Sequence, residues 1–600
     1  MNHAEIVTKG RAARASLSAL ALLAALAGCD DWKPPAPPPV AAIPVYPDRA
    51  GPAGPAAGAA EAPAAPSTFA ALRDRVLDHW LADDPSIGRG AGLHAYDGKV
   101  ADYSAAGIAA RLARVEKERA ELLAVDRRAL GPDEALDLAL LLQRADMTLF
   151  SGRDLDVYRR SPQAYEELFS VNLYLDRDFA PLAERAERLL AHEEAALAQV
   201  PNIAKNLASP LSKPIAETAV KVFKGYAEYL RKDVPRQLAG VGTAAFQEKL
   251  SRTNEALAAA AMGLSEHLAK VEVKKGDDSH VLGPERYRKL LEVQEGLHLS
   301  LAELSKMGED DLLANKRAYE ALAKRNVKLA PIKQAALFEE AGQLTARARR
   351  FLVDKKIVTI PSEDQAVVKE TPPFMRWNAA FLDAPGPFEE KALRGFFYIT
   401  LPDPSWSKKE QEEYIAPHGV LLSTTVHEVY PGHFLQGLWQ KRAPTRVQKL
   451  LTSYSFVEGW AHYGEQMMIE EGFGAEGGAG DESHLGQLSD ALLRNCRVVA
   501  SLGLHTAKMT LAQAEKRFIQ DCHQDRATAR ENAVRGTFDP GYFAYTLGKL
   551  QILALRDEAK KRLGPRFSLQ RFHDALLAHG APALPLIRDR ILHEIGADSP

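Results

Sequence analysis

The chain is poor in cysteine, in excess positive charge and in long apolar runs. Three cysteines in 600 residues exclude a small disulfide-stapled scaffold. Lys and Arg total 76 against 79 Asp and Glu, a formal net charge of −3. With no basic excess to neutralise a run of phosphates, nucleic acid is excluded as an expected partner. Beyond the N-terminus no run of 18 apolar residues appears, so no internal membrane span is expected. Hydrophobic residues make up 46% and charged residues 26% of the chain. That balance excludes wholesale disorder and allows a large core.

The N-terminus reads as a processing segment. Lys9, Arg11 and Arg14 precede a short apolar stretch, residues 16–27, which ends in Leu26-Ala27-Gly28-Cys29. The stretch is too short to span a bilayer comfortably. Its ending resembles a bacterial lipobox, in which the chain is cut before a cysteine that is then lipidated. Residues 1–28 are therefore expected to be a lipoprotein signal peptide and Cys29 the lipid anchor; the alternative is an ordinary signal peptide that ends near a cysteine. Removal of this segment would leave the mature chain near −5, since it carries three basic residues and Glu5. Residues 29–66 hold a linker with 11 prolines between Lys33 and Pro66. In polyproline II, at about 3.1 Å per residue, it is a semi-rigid spacer of up to ~100 Å. The expected location is the cell envelope, membrane-anchored through Cys29 and facing the periplasm or exterior.

The rest divides by texture into an N-terminal helical region, residues 67–350, and a second region of small sheet plus helices, residues 351–600, expected to form one continuous two-lobed unit. Apolar residues recur at three- and four-residue steps over 182–200 and again over 287–307, an amphipathic helical pattern. Residues 357–360 and 396–400 are β-branched or aromatic runs bounded by Pro and Gly and predict short strands. The second could pair with an extended substrate by β-addition, as sheet edges do. Helical texture returns after residue 417. The expected fold is mainly α and multi-helical, with a small β-sheet beside the helix that follows residue 417.

The unusual segment is Thr424-Thr425-Val426-His427-Glu428-Val429-Tyr430-Pro431-Gly432-His433. Two histidines around a glutamate suggest a zincin motif, in which the histidines bind Zn2+ and the glutamate is general base. The usual His–His spacing is four; here it is six. On a regular helix that puts the rings about 120° apart instead of about 40°, too far to share one ion. Pro431-Gly432 supplies a break through which His433 can turn back; the alternative is a plain helix break with two incidental histidines. A third ligand is needed. Glu458 follows 25 residues after His433, with His462 and Glu465 on the same helical face. Glu458 is the favoured ligand and Glu465 the favoured hydrogen-bond support behind it; otherwise His462 and Glu465 belong to a solvated face.

These residues, with Glu458-Gly459-Trp460, Pro540-Gly541-x-x-x-Tyr545-x-x-Gly548 and Phe572-His573-Asp574, resemble the bacterial domain-of-unknown-function 885 family, whose motif is similar to that of the mostly helical gluzincin metallopeptidases. The resemblance implies zinc held by His427, His433 and Glu458, with Glu428 as base. Two departures are visible. Phe434 stands where the family usually doubles the histidine, and Ser501-Leu502 precede Gly503-x-His505 where an acidic residue is frequent. Tyr545 is the candidate oxyanion donor, unless it is a core or rim aromatic. His505 is a candidate site residue, unless it is a satisfied core histidine. Arg494 and Arg497 could bind a substrate carboxylate, but ion pairs with neighbouring helices compete. Cys496 and Cys522 could pair in an oxidising compartment, although both read as helix positions. The expected function is zinc-dependent hydrolysis of a peptide or protein substrate. The alternatives are a non-catalytic zinc-containing peptide-binding lipoprotein and a metal-dependent hydrolase of another amide or ester.

Overall fold

Amphipathic helices dominate because apolar residues recur with helical period and polar residues cap the starts. The computed structural model describes residues 68–597 apart from Trp377; the signal segment, Cys29 and the linker lie outside the described residues. The N-terminal part contains α1 (Thr68–Asp83), α2 (Ala105–Leu123), α3 (Pro132–Leu149), α4 (Leu182–Asn206), α5 (Lys213–Gln237), α6 (Ala244–His267), α7 (Pro284–Glu295), α8 (Leu301–Lys324) and α9 (Leu337–Lys355). In α4 the buried Ala186, Leu189, Leu190 and Ala196 form the expected stripe. The run 287–307, read as continuous from its periodicity, is two helices. Gly296 adopts φ 66° as the cap of α7, a conformation suited to glycine. Ser300 and Glu303 then form a capping box that starts α8.

Three strands follow: β1 (Ala366–Glu370), β2 (Ala380–Asp383) and β3 (Gly395–Ile399). Their order is β1-β3-β2, with β3 parallel to β1 and antiparallel to β2. The run at 396–400 is thus a strand, but a central, buried one, so it has no free edge for a substrate. The edge strands are β1 and β2. Residues 357–360 are not a strand at all. Side chains take their backbone groups: His573 Nδ1 lies 2.8 Å from the Ile357 carbonyl, Asp574 accepts from the Thr359 amide at 2.8 Å, and Trp439 Nε1 donates to the Thr359 carbonyl at 2.9 Å. With donors and acceptors satisfied this way, no ladder is required.

The C-terminal part comprises α10 (His418–Glu428), α11 (His433–Gln440), α12 (Tyr454–Glu470), α13 (Gly480–His505), α14 (Leu511–Gln520), α15 (Arg526–Phe538), α16 (Ala544–Leu563), α17 (Leu569–Leu577) and α18 (Leu584–Gly596). One core runs from Leu77 and Leu81 through Val426, Phe434, Phe456 and Trp460 to Ile591 and Ile595. A second fills the space among α4, α5 and α6 and takes in Phe374 from the loop before β2. Helices α12 and α16 pack so closely that a Cβ on Gly548 would overlap the Ser455 carbonyl. That contact fixes α12, the helix that carries Glu458. No helix among the described residues is long and apolar enough to cross a membrane.

Candidate metal centre

The Pro-Gly break ends one helix and starts another. Helix α10 stops at Glu428, and Val429 leaves helical geometry at φ −117°, ψ −77°. The chain is held through the turn by the Gly432 amide donating to the Val426 carbonyl at 3.0 Å. Trp460 Nε1 donates to the Pro431 carbonyl at 2.8 Å. Position 432 must be glycine, because a Cβ there would run into the His427 carbonyl. Helix α11 then opens at His433, and its ring centroid lies 4.7 Å from that of His427. The break therefore joins the two imidazoles that a regular helix would part.

Glu458 meets them from α12. Its Oε2 lies 3.3 Å from His427 Nε2 and 3.4 Å from His433 Nε2. The three ligand atoms all lie within 4.8 Å of one another. A tetrahedral ion with bonds of about 2.0–2.1 Å spaces its donors roughly 3.3 Å apart. Glu458 Oε2 is buried with no hydrogen-bond partner, which a shared ion would remedy. The donor set, two imidazoles and one carboxylate, suits zinc chemistry, so the residues present fit a divalent ion.

Behind the donors stands a buried charge network. Glu465 Oε1 is 2.6 Å from His427 Nδ1; this contact leaves Nε2 to face Glu458. Arg494 Nη2 is 3.0 Å from Glu465, and His462 Nδ1 is 3.2 Å from the other Glu465 oxygen. Burial pushes the Glu465 carboxyl up, but Arg494, His462 and His427 outweigh it and hold it well below the usual range. Burial and Arg494 push His427 down, yet Glu458 and Glu465 prevail and raise it to about 9. The Glu458 carboxyl is raised by burial and lowered further by His433 and His427. The two carboxylates that raise His427 give the site a field that favours a cation, which would take the proton's place on Nε2. His462 and Glu465 are fully buried, not a solvated face.

The start of α12 is tied to the N-terminal helices. The buried Glu295 accepts from Ser453 Oγ at 2.6 Å and from the Ser455 amide at 3.1 Å. Sequence reasoning did not single out Glu295, because it sits in what reads as a continuous helix. The break at Gly296 was the available signal.

A cleft of about 770 Å3 opens over the donors, and His427, Glu428, His433, Glu458 and Tyr545 all line it. The Tyr545 ring stacks 6.3 Å from that of His427. Burial and the Glu458 charge raise its phenol above the ordinary value. Residues 380–382 of β2 also line the cleft. His505 is not among the lining residues. Its nitrogens lie 3.0 and 2.8 Å from the carbonyls of His280 and Gly536, and burial lowers it to about 4. His573 likewise serves the fold, with Nε2 2.8 Å from Tyr463 Oη. Cys496 and Cys522 form a disulfide. The helical reading of Cys522 is corrected: it lies past the end of α14 at Gln520, in a turn that reaches back to α13.

A family model described as bacterial protein of unknown function, DUF885, matches residues 85–591. No curated protein matches the chain. Two solved structures share the fold. A candidate lipoprotein of unknown function from Shewanella oneidensis is 23% identical, with a TM-score of 0.71 over 88% of this chain and 100% of that one. A candidate lipoprotein from Colwellia psychrerythraea is 19% identical, with a TM-score of 0.70 over 88% of this chain and 98% of that one. An M32 carboxypeptidase from Deinococcus radiodurans aligns at a TM-score of only 0.33 and 14% identity, covering 87% of this chain and 91% of that one, too weak a likeness to bear on this chain's activity.

Proposed function

The chain belongs to the DUF885 family, and we propose that its cleft is the active site of a zinc-dependent hydrolase that cleaves peptide bonds. The observation that carries this is the placement of Glu458 Oε2 at 3.3 and 3.4 Å from two imidazole nitrogens, the spacing of donors around one tetrahedral ion. His427, His433 and Glu458 would hold the ion. Zinc, when bound, lowers the pKa of a water and polarises a carbonyl. Among the described residues only these three group as donors, and all three line the cleft. That leaves a coordination position for a small molecule, the arrangement of a catalytic rather than a structural site.

Glu428 follows His427 directly and lines the cleft beside it. Its carboxylate takes the proton of the attacking water and passes it to the leaving amine. Tyr545 donates its phenol hydrogen to the oxygen on which negative charge develops; burial keeps that hydrogen in place at neutral pH. Glu465 accepts from His427 Nδ1 and so leaves Nε2 free for the ion, and Arg494 holds Glu465 in place. Strand β2 pairs only with β3 among the described residues, so its outer edge along the cleft suits an extended peptide.

The lipid anchor at Cys29 belongs to the same proposal. It is supported by Leu26-Ala27-Gly28-Cys29 and by relatives described as candidate lipoproteins.

Glu428→Gln tests the mechanism. The variant should bind zinc one to one by elemental analysis and lose at least about 1,000-fold in kcat on any peptide the parent cleaves. Full turnover in this variant would remove Glu428 from the mechanism.

A further inference from the structure

We propose that Arg497 anchors a carboxylate of the substrate next to the scissile bond; this deepens the hydrolase reading and rests on it. Three arginines line the cleft: Arg494, Arg497 and Arg535. Two are already paired. Arg494 reaches Glu465 at 3.0 Å and Asp490 at 3.5 Å. Arg535 bonds Asp539 through Nε at 3.3 Å and Nη2 at 3.2 Å, and Asn378 through Nη1 at 3.1 Å. Arg497 has no carboxylate partner among the described residues. Its Nε donates to Asn532 Oδ1 at 2.9 Å, and both Nη groups carry no protein hydrogen bond there. Asp525 and Glu531 line the same cleft, but neither ion-pairs with Arg497.

The guanidinium is also held in place. It sits over the Tyr542 ring at 4.9 Å and the Tyr545 ring at 4.6 Å. The two rings stand at 77° to each other and confine the guanidinium between them, so little freedom is lost when a ligand docks. A planar fork with two open Nη groups matches a carboxylate with two parallel hydrogen bonds. The position matters as much as the charge. The Tyr545 ring lies 4.6 Å from the Arg497 guanidinium and 6.3 Å from the imidazole of the donor His427, so those two groups are at most about 11 Å apart. Extended chain covers about 3.3–3.6 Å per residue, so at most about three residues span that distance. A carboxylate on the residue just beyond the scissile carbonyl falls within that reach. Two sources share that chemistry: the C-terminal carboxylate of a chain cut by one residue, and an acidic side chain.

The test uses the zinc-loaded protein with acetyl-Ala-Leu, acetyl-Ala-Leu-amide and acetyl-Ala-Glu-amide. The parent should prefer the free acid over its amide by roughly 10- to 100-fold in kcat/KM, the range of a hydrogen-bonded charge pair. Arg497→Gln should collapse that ratio to within about 3-fold, and Arg497→Lys, which keeps the charge without the fork, should fall between. A preference for the Glu amide that Arg497→Gln abolishes would equally support the anchor and assign it to a side chain. Equal losses on acid and amide in both variants would overturn it, since a merely structural role of the stacked arginine changes no ratio. Calorimetric binding of the acid and the amide to Glu428→Gln, with and without Arg497→Gln, needs no turnover. An acid preference lost with Arg497 in these binding measurements, together with a parent that cleaves none of the three peptides, would keep the anchor and refute the hydrolase. Cleavage indifferent to Arg497 would do the reverse.

Discussion

At the scale of single residues, buried charge separates the site from the rest of the molecule. At the centre, each buried charge has a counterpart: Glu465 has Arg494, His462 and His427 around it, and the unsatisfied Glu458 oxygen faces the place an ion would fill. Glu193 on α4 is the contrast. It is fully buried, both its oxygens lack partners, and burial lifts its carboxyl to about 9. The folded state therefore holds a proton that the unfolded chain releases from about pH 4.5 upward. Folding stability is lost as pH rises from there towards 9. Glu193→Gln removes that dependence. Denaturant titrations should show the variant and parent closely matched near pH 4.5, with the variant gaining by about 1 kcal/mol per pH unit above it. A gap between them that does not change with pH would contradict the assignment.

At the scale of elements, the site is made by breaks and close contacts. The turn at Pro431-Gly432 joins α10 to α11, and the approach of α12 to α16 fixes the helix of Glu458. Gly548→Ala tests the second contact, because its methyl would overlap the Ser455 carbonyl. Overpacking of this kind costs about 1–3 kcal/mol. The shift of α12 should also weaken zinc binding in a competition titration with a chelator. Unaltered zinc affinity would mean that α12 is positioned by other contacts. Much of this level was legible in sequence. The i to i+6 spacing with Pro-Gly between demanded a break, and Glu458, His462 and Glu465 shared a face. The sheet was less legible. The aromatic run at β3 stood out, but β1 and β2 are short and only partly buried. Ile357 and Val358 look like a strand yet are buried as a loop, because His573, Asp574 and Trp439, which lie far along the chain, satisfy its backbone. The Cys496–Cys522 bond was obscured in the same way, since it depends on where α14 ends.

At the scale of the whole molecule, the donors belong to a core that links both ends of the described chain. The core holding Phe456 and Trp460 also holds Leu77 and Ile595, and Glu295 from the N-terminal helices receives the first turn of α12. The helices before residue 350 thus help support the metal centre, which sequence alone placed wholly in the later part. The convergence of His427, His433 and Glu458 upon one ion is the claim on which the rest depends. Crystals of zinc-loaded protein, measured above and below the zinc absorption edge, test it most directly. The account predicts a single anomalous peak about 2.0–2.2 Å from both Nε2 atoms and from the Glu458 carboxylate, with one side open to the cleft. An empty map at these residues at full zinc loading, or a peak closed off by a fourth side chain, would contradict it.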